Sequence, residues 1–231
     1  MKIALLAFSA FAALSITAGP AAADGMLVDA GGDTFHVTVT SYKQLRFRSV
    51  IRQEYDFSCG SAALASLLTY QYNRPHTEED VFQAMWRVGD QANIRKFGFS
   101  LLDMKTYLES IGMQADGYQV TLDKIAELQV PGITLIEING YKHFVVIKGI
   151  TKDRILIGDP ARGLRSMKRA DFALIWSGIV LFIRTDVATA QKNFNPGKDW
   201  AAQGRAPIGT ANAGLESIGA FTLNLRPQGS F

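Results

Sequence analysis

Apolar positions along this chain recur at helical spacing between residues 59 and 128, and at strand spacing between residues 133 and 183. The helical part predicts four elements. One runs from Cys59 to about Tyr72 and stops before Asn73-Arg74-Pro75. A second spans roughly Glu78 to Val88, with acidic residues in its first turn. Leu101 to Ile111 is a third, ended by Gly112, and Leu122 to Leu128 is a short fourth before Pro131. Beyond it, Ile133–Ile138, His143–Ile150, Arg154–Ile157 and Gly178–Ile183 are rich in Ile, Leu and Val and read as strands, with a short helix over Asp171–Ile175. Helices first and an antiparallel sheet second is an α+β arrangement.

The flanks differ from this middle. Asp24 to Ile51 alternates like strands, as in Phe35-His36-Val37-Thr38-Val39 and Leu45-Arg46-Phe47-Arg48, and predicts an N-terminal strand extension over residues 24–50. From about Ala188 the composition shifts to Gly, Asn, Ala, Pro and Gln, which predicts a loosely ordered tail over 187–231 with some local helix. Within it Phe221-Thr222-Leu223-Asn224-Leu225 alternates like a strand. The domain proper is then expected over residues 51–186.

The first residues read as a signal peptide, 1–23. Lys2 supplies a minimal positive region, Ile3 to Ala18 is apolar, and Gly19-Pro20 breaks the run. Ala21-Ala22-Ala23 then offers small residues for cleavage before Asp24. The run is shorter than the ~20 residues of a membrane-spanning helix, so no stable membrane insertion is expected after cleavage. An uncleaved anchor is the competing reading. The expected location is the periplasm.

Charge adds little. The chain has 231 residues, a formal net charge of +3 and Lys and Arg scattered along it, so there is no nucleic-acid footprint. No metal-ligand cluster and no phosphate-cradling Gly loop is present in the sequence, and no cofactor or metal is expected.

The single cysteine, Cys59, changes the picture. It lies in Gln53-Glu54-Tyr55-Asp56-Phe57-Ser58-Cys59-Gly60-Ser61, where a polar extended run gives way to a helix of small apolar residues. A sulfur at a helix N-terminus faces unpaired N–H groups and the positive end of the dipole, which favour thiolate. Thiolate is the nucleophilic form. A lone cysteine also packs as a small apolar residue. A free thiol in an oxidising compartment is nonetheless exposed to oxidation, which speaks for function.

A cysteine nucleophile needs a base and an orienting group. There are three histidines. His36 alternates within its strand, and His76 precedes the helix start Thr77-Glu78-Glu79-Asp80, where a surface or capping role accounts for it. His143 begins an apolar strand, and the next strand ends in Asp159-Pro160. If these strands pair as a hairpin, Asp159 can accept a hydrogen bond from the imidazole and fix its tautomer. Asp before Pro is also a turn starter. Gln53 can donate its side-chain amide to the oxygen that becomes negative in a tetrahedral intermediate, with the Cys59 backbone N–H as second donor.

Gln53, Cys59-Gly60 opening a helix, His143 before Phe-Val-Val, and Asp159-Pro160 resemble the C39 cysteine peptidases in order and spacing. These are papain-like proteases that cut leader peptides after a Gly-Gly pair. The resemblance covers about Ile51 to Arg184. It implies a papain-like fold, with Gln53 as oxyanion donor, Cys59 as nucleophile, His143 as general base and acid, and Asp159 as orienter. Leader-processing members usually carry Asp directly before the Cys; here Ser58 stands there and Asp56 lies nearby. The stretch from Arg52 to Leu64 is similar to stand-alone, secreted C39-like proteins of Gram-negative bacteria, some of them associated with secretion or functional-amyloid systems.

The expected function is therefore a periplasmic cysteine peptidase acting on an exported protein or leader. Candidate substrates are an exported fibre subunit or a bacteriocin-like peptide, with a secretion-system protein as further partner. The alternative is a C39-like module that binds peptides without cutting them. A third reading keeps the same chemistry on another acyl substrate, such as a cell-wall amide.

Overall fold

The computed structural model describes residues 25–30, 33–38, 41–55 and 57–203. Residues 1–23, read above as a signal peptide, Asp56 and Phe221–Leu225 lie outside these residues. The described chain divides into two units, the first ending at Ser41. The first holds strands β1 (Gly25–Ala30) and β2 (Asp33–Thr38), an antiparallel hairpin in which His36 pairs with Leu27.

The second unit begins with helix α1 (Tyr42–Phe47), where strand alternation was expected around Leu45–Arg48. Tyr-Lys-Gln-Leu-Arg contains the straight-chain residues that lose least in a helix, and Phe47 packs against Val50, Leu156 and Leu164. Four further helices follow: α2 (Cys59–Gln71), α3 (Glu78–Val88), α4 (Gln91–Phe97) and α5 (Leu101–Ser110). Then come β3 (Ala115–Gln119), α6 (Leu122–Leu128), β4 (Gly132–Ile138), β5 (Tyr141–Ile150), β6 (Arg154–Asp159) and β7 (Gly163–Lys168). Helix α7 (Arg169–Ile175), β8 (Trp176–Ile183), α8 (Val187–Lys192) and α9 (Gly197–Ala201) complete it. Helix α4 and strands β3 and β7 were not anticipated from the sequence.

Local chemistry sets the helix starts. The Thr77 hydroxyl accepts from the Asp80 N–H at 3.1 Å and caps α3, so the cap stands one residue beyond His76. Ser100 and Asp103 form a capping box on α5. Asp90 accepts from the N–H groups of Ala92 and Asn93 and starts α4.

Strands β3 to β8 form one antiparallel sheet in the order β3-β8-β4-β5-β6-β7. Its central strands are buried on both faces, which explains their continuous apolar runs. Phe144 and Val146 of β5 enter the layer made by α2, α3 and α5, while Val145 and Ile147 enter the opposite layer with Ile125 of α6 and Phe172 of α7. Helix α2 is buried almost throughout. Its Leu64, Leu67 and Leu68 are each 0% exposed, and burying each side chain contributes about 1.5–3 kcal/mol. The papain-like α+β layout is present: a buried helix carrying Cys59 lies on the sheet that carries His143 and Asp159.

Helices α8 and α9 fall in the stretch whose composition suggests a loose tail, and they dock on this unit. The Asn195 N–H donates to the Lys148 carbonyl at 2.9 Å, and its side-chain amide donates to the Ile150 carbonyl at 3.1 Å. Gly149 makes room for this approach, because a Cβ there would lie 2.2 Å from Asn195 Oδ1. Asp199 and Lys148 form a buried ion pair at 2.8 Å. Among the described residues no helix is long and apolar enough to cross a membrane.

Candidate active site

Cys59 is the first residue of α2. Ser58 stands at the cap position, yet its hydroxyl turns back on the preceding loop: it donates to the Tyr55 carbonyl at 2.9 Å and accepts from the Tyr55 N–H at 3.2 Å. Helix α2 therefore starts without a side-chain cap. Its first N–H groups and the positive dipole end stay beside the sulfur. The loop before it is held on both sides. The Gln53 N–H donates to the Pro160 carbonyl at 3.0 Å, and the Glu54 N–H donates to Glu78 Oε2 at 2.8 Å. Burial pushes the Glu78 carboxyl above its usual range, against the pull of its bonds to Ser58 and Glu54.

His143 and Asp159 come together through the β5–β6 pairing. Val146 pairs with Gly158, so the end of β6 lies beside the start of β5. His143 Nε2 and Asp159 Oδ1 are 2.8 Å apart. The same Oδ1 accepts the N–H groups of Ala161 at 3.0 Å and Arg162 at 3.1 Å, and Oδ2 faces Arg165 Nε at 3.1 Å. The turn that aims these donors passes through Gly163, whose φ is +79° and where a Cβ would lie 2.6 Å from the Arg46 carbonyl.

These contacts set the protonation states. Asp159 is 1% exposed, and burial alone would raise its pKa. The His143 bond and charge and the Arg165 charge outweigh that and hold it below the usual carboxylate range. Burial likewise pushes His143 down, but the hydrogen bond and charge of Asp159, with the neighbouring Cys59 sulfur, lift it to about 9. The imidazolium is thus the form held at neutral pH. With Nε2 committed to Asp159, Nδ1 is the ring atom left for Cys59. Nδ1 is buried and makes no well-formed hydrogen bond of its own.

Gln53 lies in the loop that leads to Cys59. Its Nε2 donates to the Tyr55 carbonyl at 3.0 Å, and Oε1 is buried without a hydrogen-bond partner. An amide nitrogen carries two N–H groups, so one donor goes to the loop and a second remains.

A cleft of about 670 Å³ opens on Cys59, with walls that include Phe57, Phe99, Leu101, Leu135, Phe144 and Ile179. Cys59 lines this cleft and is 9% exposed, while His143 and Asp159 are buried. Apolar walls around a few polar groups suit the side chains of an extended peptide.

The structure brings Cys59, His143 and Asp159 into one contiguous row and holds the Gln53 backbone against the turn after Asp159. His36 lies in the hairpin unit, and His76 is bound in its own loop, with Nδ1 2.9 Å from the Arg74 carbonyl. Sequence reasoning missed Arg165 and Glu78. Glu78 was read only as a first-turn acid of α3, and Arg165 sits on the unanticipated β7. No cluster of His, Cys, Asp and Glu that could hold a metal occurs among the described residues.

Comparisons with known proteins bear on the family and the fold. Residues 48–188 match the Peptidase C39 family. The chain is 44% identical, over 74% of its length and 76% of the relative's, to a probable functional amyloid protease, FapD, of Pseudomonas fluorescens. It is 42% identical to the protein of the same description from Pseudomonas aeruginosa, over 66% of this chain and 68% of that one. Among solved structures, the peptidase domain of ComA, a bi-functional ABC transporter of Streptococcus involved in quorum sensing, shares the fold. The TM-score is 0.50 at 19% identity, over 58% of this chain and 96% of that domain.

Proposed function

Because this chain belongs to the peptidase C39 family of cysteine peptidases, we propose that Cys59, His143 and Asp159 are its catalytic triad and Gln53 its oxyanion donor. The observation that carries this reading is the row of contacts in which His143, bonded to Asp159 at 2.8 Å, interacts with a cysteine at an uncapped helix start.

In the reactive form the thiol proton rests on His143. Cys59 Sγ attacks the carbonyl carbon of the scissile peptide bond, and the oxygen that gains the negative charge lies between Gln53 Nε2–H and the Cys59 N–H. His143 then gives its proton to the leaving amine, and the C–N bond breaks to leave a thioester on Cys59. Water enters, loses a proton to His143 and attacks the thioester. The acid product leaves and the thiolate–imidazolium pair is restored. Asp159 stays ionised throughout and holds the imidazole in place.

The substrate in this reading is an exported polypeptide. The description of the Pseudomonas relatives as functional amyloid proteases supports a subunit of an extracellular fibre. The apolar run before Ala23 supports cleavage of a signal peptide and action in the periplasm. Complementation of a deletion strain tests the peptidase against a non-cleaving module. Cys59→Ala should fail to restore fibre export or processing; full restoration would make the protein a peptide-binding accessory.

A further inference from the structure

Asp159 has two basic neighbours, one from each flanking strand. His143 reaches it from β5 and Arg165 from β7. On the β7 side Asp159 pairs with Gly163, and Arg165 stands two residues further along that strand. The Arg165 side chain is 20% exposed, and its Nε and Nη2 are buried without well-formed hydrogen bonds. A solvated surface arginine would instead extend its head into water. Among the described residues the other charges near it, Arg162 and Arg46, are of its own sign. Asp159 is thus the partner that holds it.

We propose that Arg165 is a positioning residue of the catalytic row: its guanidinium fixes the outer oxygen of Asp159 and balances its charge, so that His143 can release its proton during turnover. The inference rests on the peptidase reading above. In the reactive form the row reads thiolate, imidazolium, carboxylate, guanidinium, with charges that alternate and sum to zero. Without Arg165 the buried row carries a net negative charge. Asp159 would remain ionised, since His143 and two backbone N–H groups still donate to it. Its uncompensated charge would then hold the proton on His143 more tightly. A tighter proton makes a poorer donor to the leaving amine. The groups facing the imidazole are Asp159 from β6, Cys59 from α2 and the stacked ring of Tyr141 from β5 itself. None of these is a cation, so Arg165 is the positive charge through which Asp159 is tempered.

The test is the titration of the His143 ring followed by NMR in the full chain, assigned against His36→Gln and His76→Gln variants. Arg165→Met and Arg165→Gln both remove the cation, and Gln keeps an N–H donor. Both should move the His143 titration upward by about one unit and carry the alkaline limb of kcat/KM with it. Arg165→Lys should restore the wild-type titration. An unmoved titration in folded neutral variants, or failure of both neutral variants to fold, would assign Arg165 to stability alone and overturn the proposal. The ring titration is read without any substrate. Loss of the peptidase reading, seen as a Cys59→Ala variant that still processes peptide, is therefore a separate outcome.

Discussion

The backbone N–H of Gln53 donates to the carbonyl of Pro160 at 3.0 Å. One hydrogen bond thereby joins the loop that delivers Cys59 to the turn that follows Asp159. The bond is made by main chain, so it survives replacement of the Gln53 side chain. Gln53→Ala should leave the loop docked and remove only the amide donor. Turnover should fall by about 10²–10³ in kcat with little change in KM, because the donor acts on charge present only in the transition state. Steady-state kinetics with a cleavable peptide checks this. A raised KM with unchanged kcat would place Gln53 in substrate binding instead.

His143 titrates at about 9 in the folded protein, above its ordinary 6.5. The pair interactions therefore contribute stability that is fully present below pH 6.5 and is lost as pH rises through about 9. Urea denaturation at a series of pH values should show wild-type stability declining across that window. His143→Ala should lack this component of the decline. The rate of peptide cleavage should fall on the alkaline side with the same midpoint, as the imidazolium that protonates the leaving amine disappears.

Lys148 and Asp199 form a second buried pair, away from the cleft. Lys148 Nζ also donates to the Ser49 carbonyl at 2.7 Å, and the Ser49 hydroxyl donates to Asp199 at 2.8 Å. Three distant parts of the chain meet there: the entry to the catalytic loop, the His143 strand and α9. Removing one partner leaves the other charge buried, at a cost of about 3–5 kcal/mol. Lys148→Met and Asp199→Leu should each be strongly destabilising in urea denaturation. The double variant should recover much of the loss, since a buried ion pair contributes little over an apolar pair of similar volume. Additive losses would contradict this account of the pair.

The sequence revealed the long, strongly periodic elements and left the short ones hidden. Helices α3 and α6 lie where the apolar spacing and end signals predict, and the Ile- and Val-rich runs are the central strands. The α1 segment misled because Leu45-Arg46-Phe47-Arg48 alternates over too few residues to separate the two periods. Strand β3 buries only Ala115 fully, so it has no apolar rhythm to read. Two local signals were present and unused. Asp90 caps α4, and Asn139-Gly140, both at positive φ, make the two-residue turn that sets the register of His143. Cys59 and Asp159 were easy to single out in sequence because each stands at the border of an element, where the pattern changes. Arg165 was not, because an ion pair between neighbouring strands leaves no periodicity in sequence.

Export makes a further prediction. The mature protein should begin at Asp24 and be recovered from the periplasm, as N-terminal sequencing of a periplasmic extract would show. A chain that begins at Met1 in the membrane fraction would mean an uncleaved anchor.

The proposed function depends on cleavage of exported polypeptides by Cys59. Its most direct test is a comparison of all protein N-termini in periplasmic and secreted fractions from cells carrying the wild-type gene, the Cys59→Ala variant or a deletion. A set of termini should be present only with the wild-type protein and missing equally from the variant and the deletion. Identical termini in wild-type and Cys59→Ala cells, with both differing from the deletion, would contradict it.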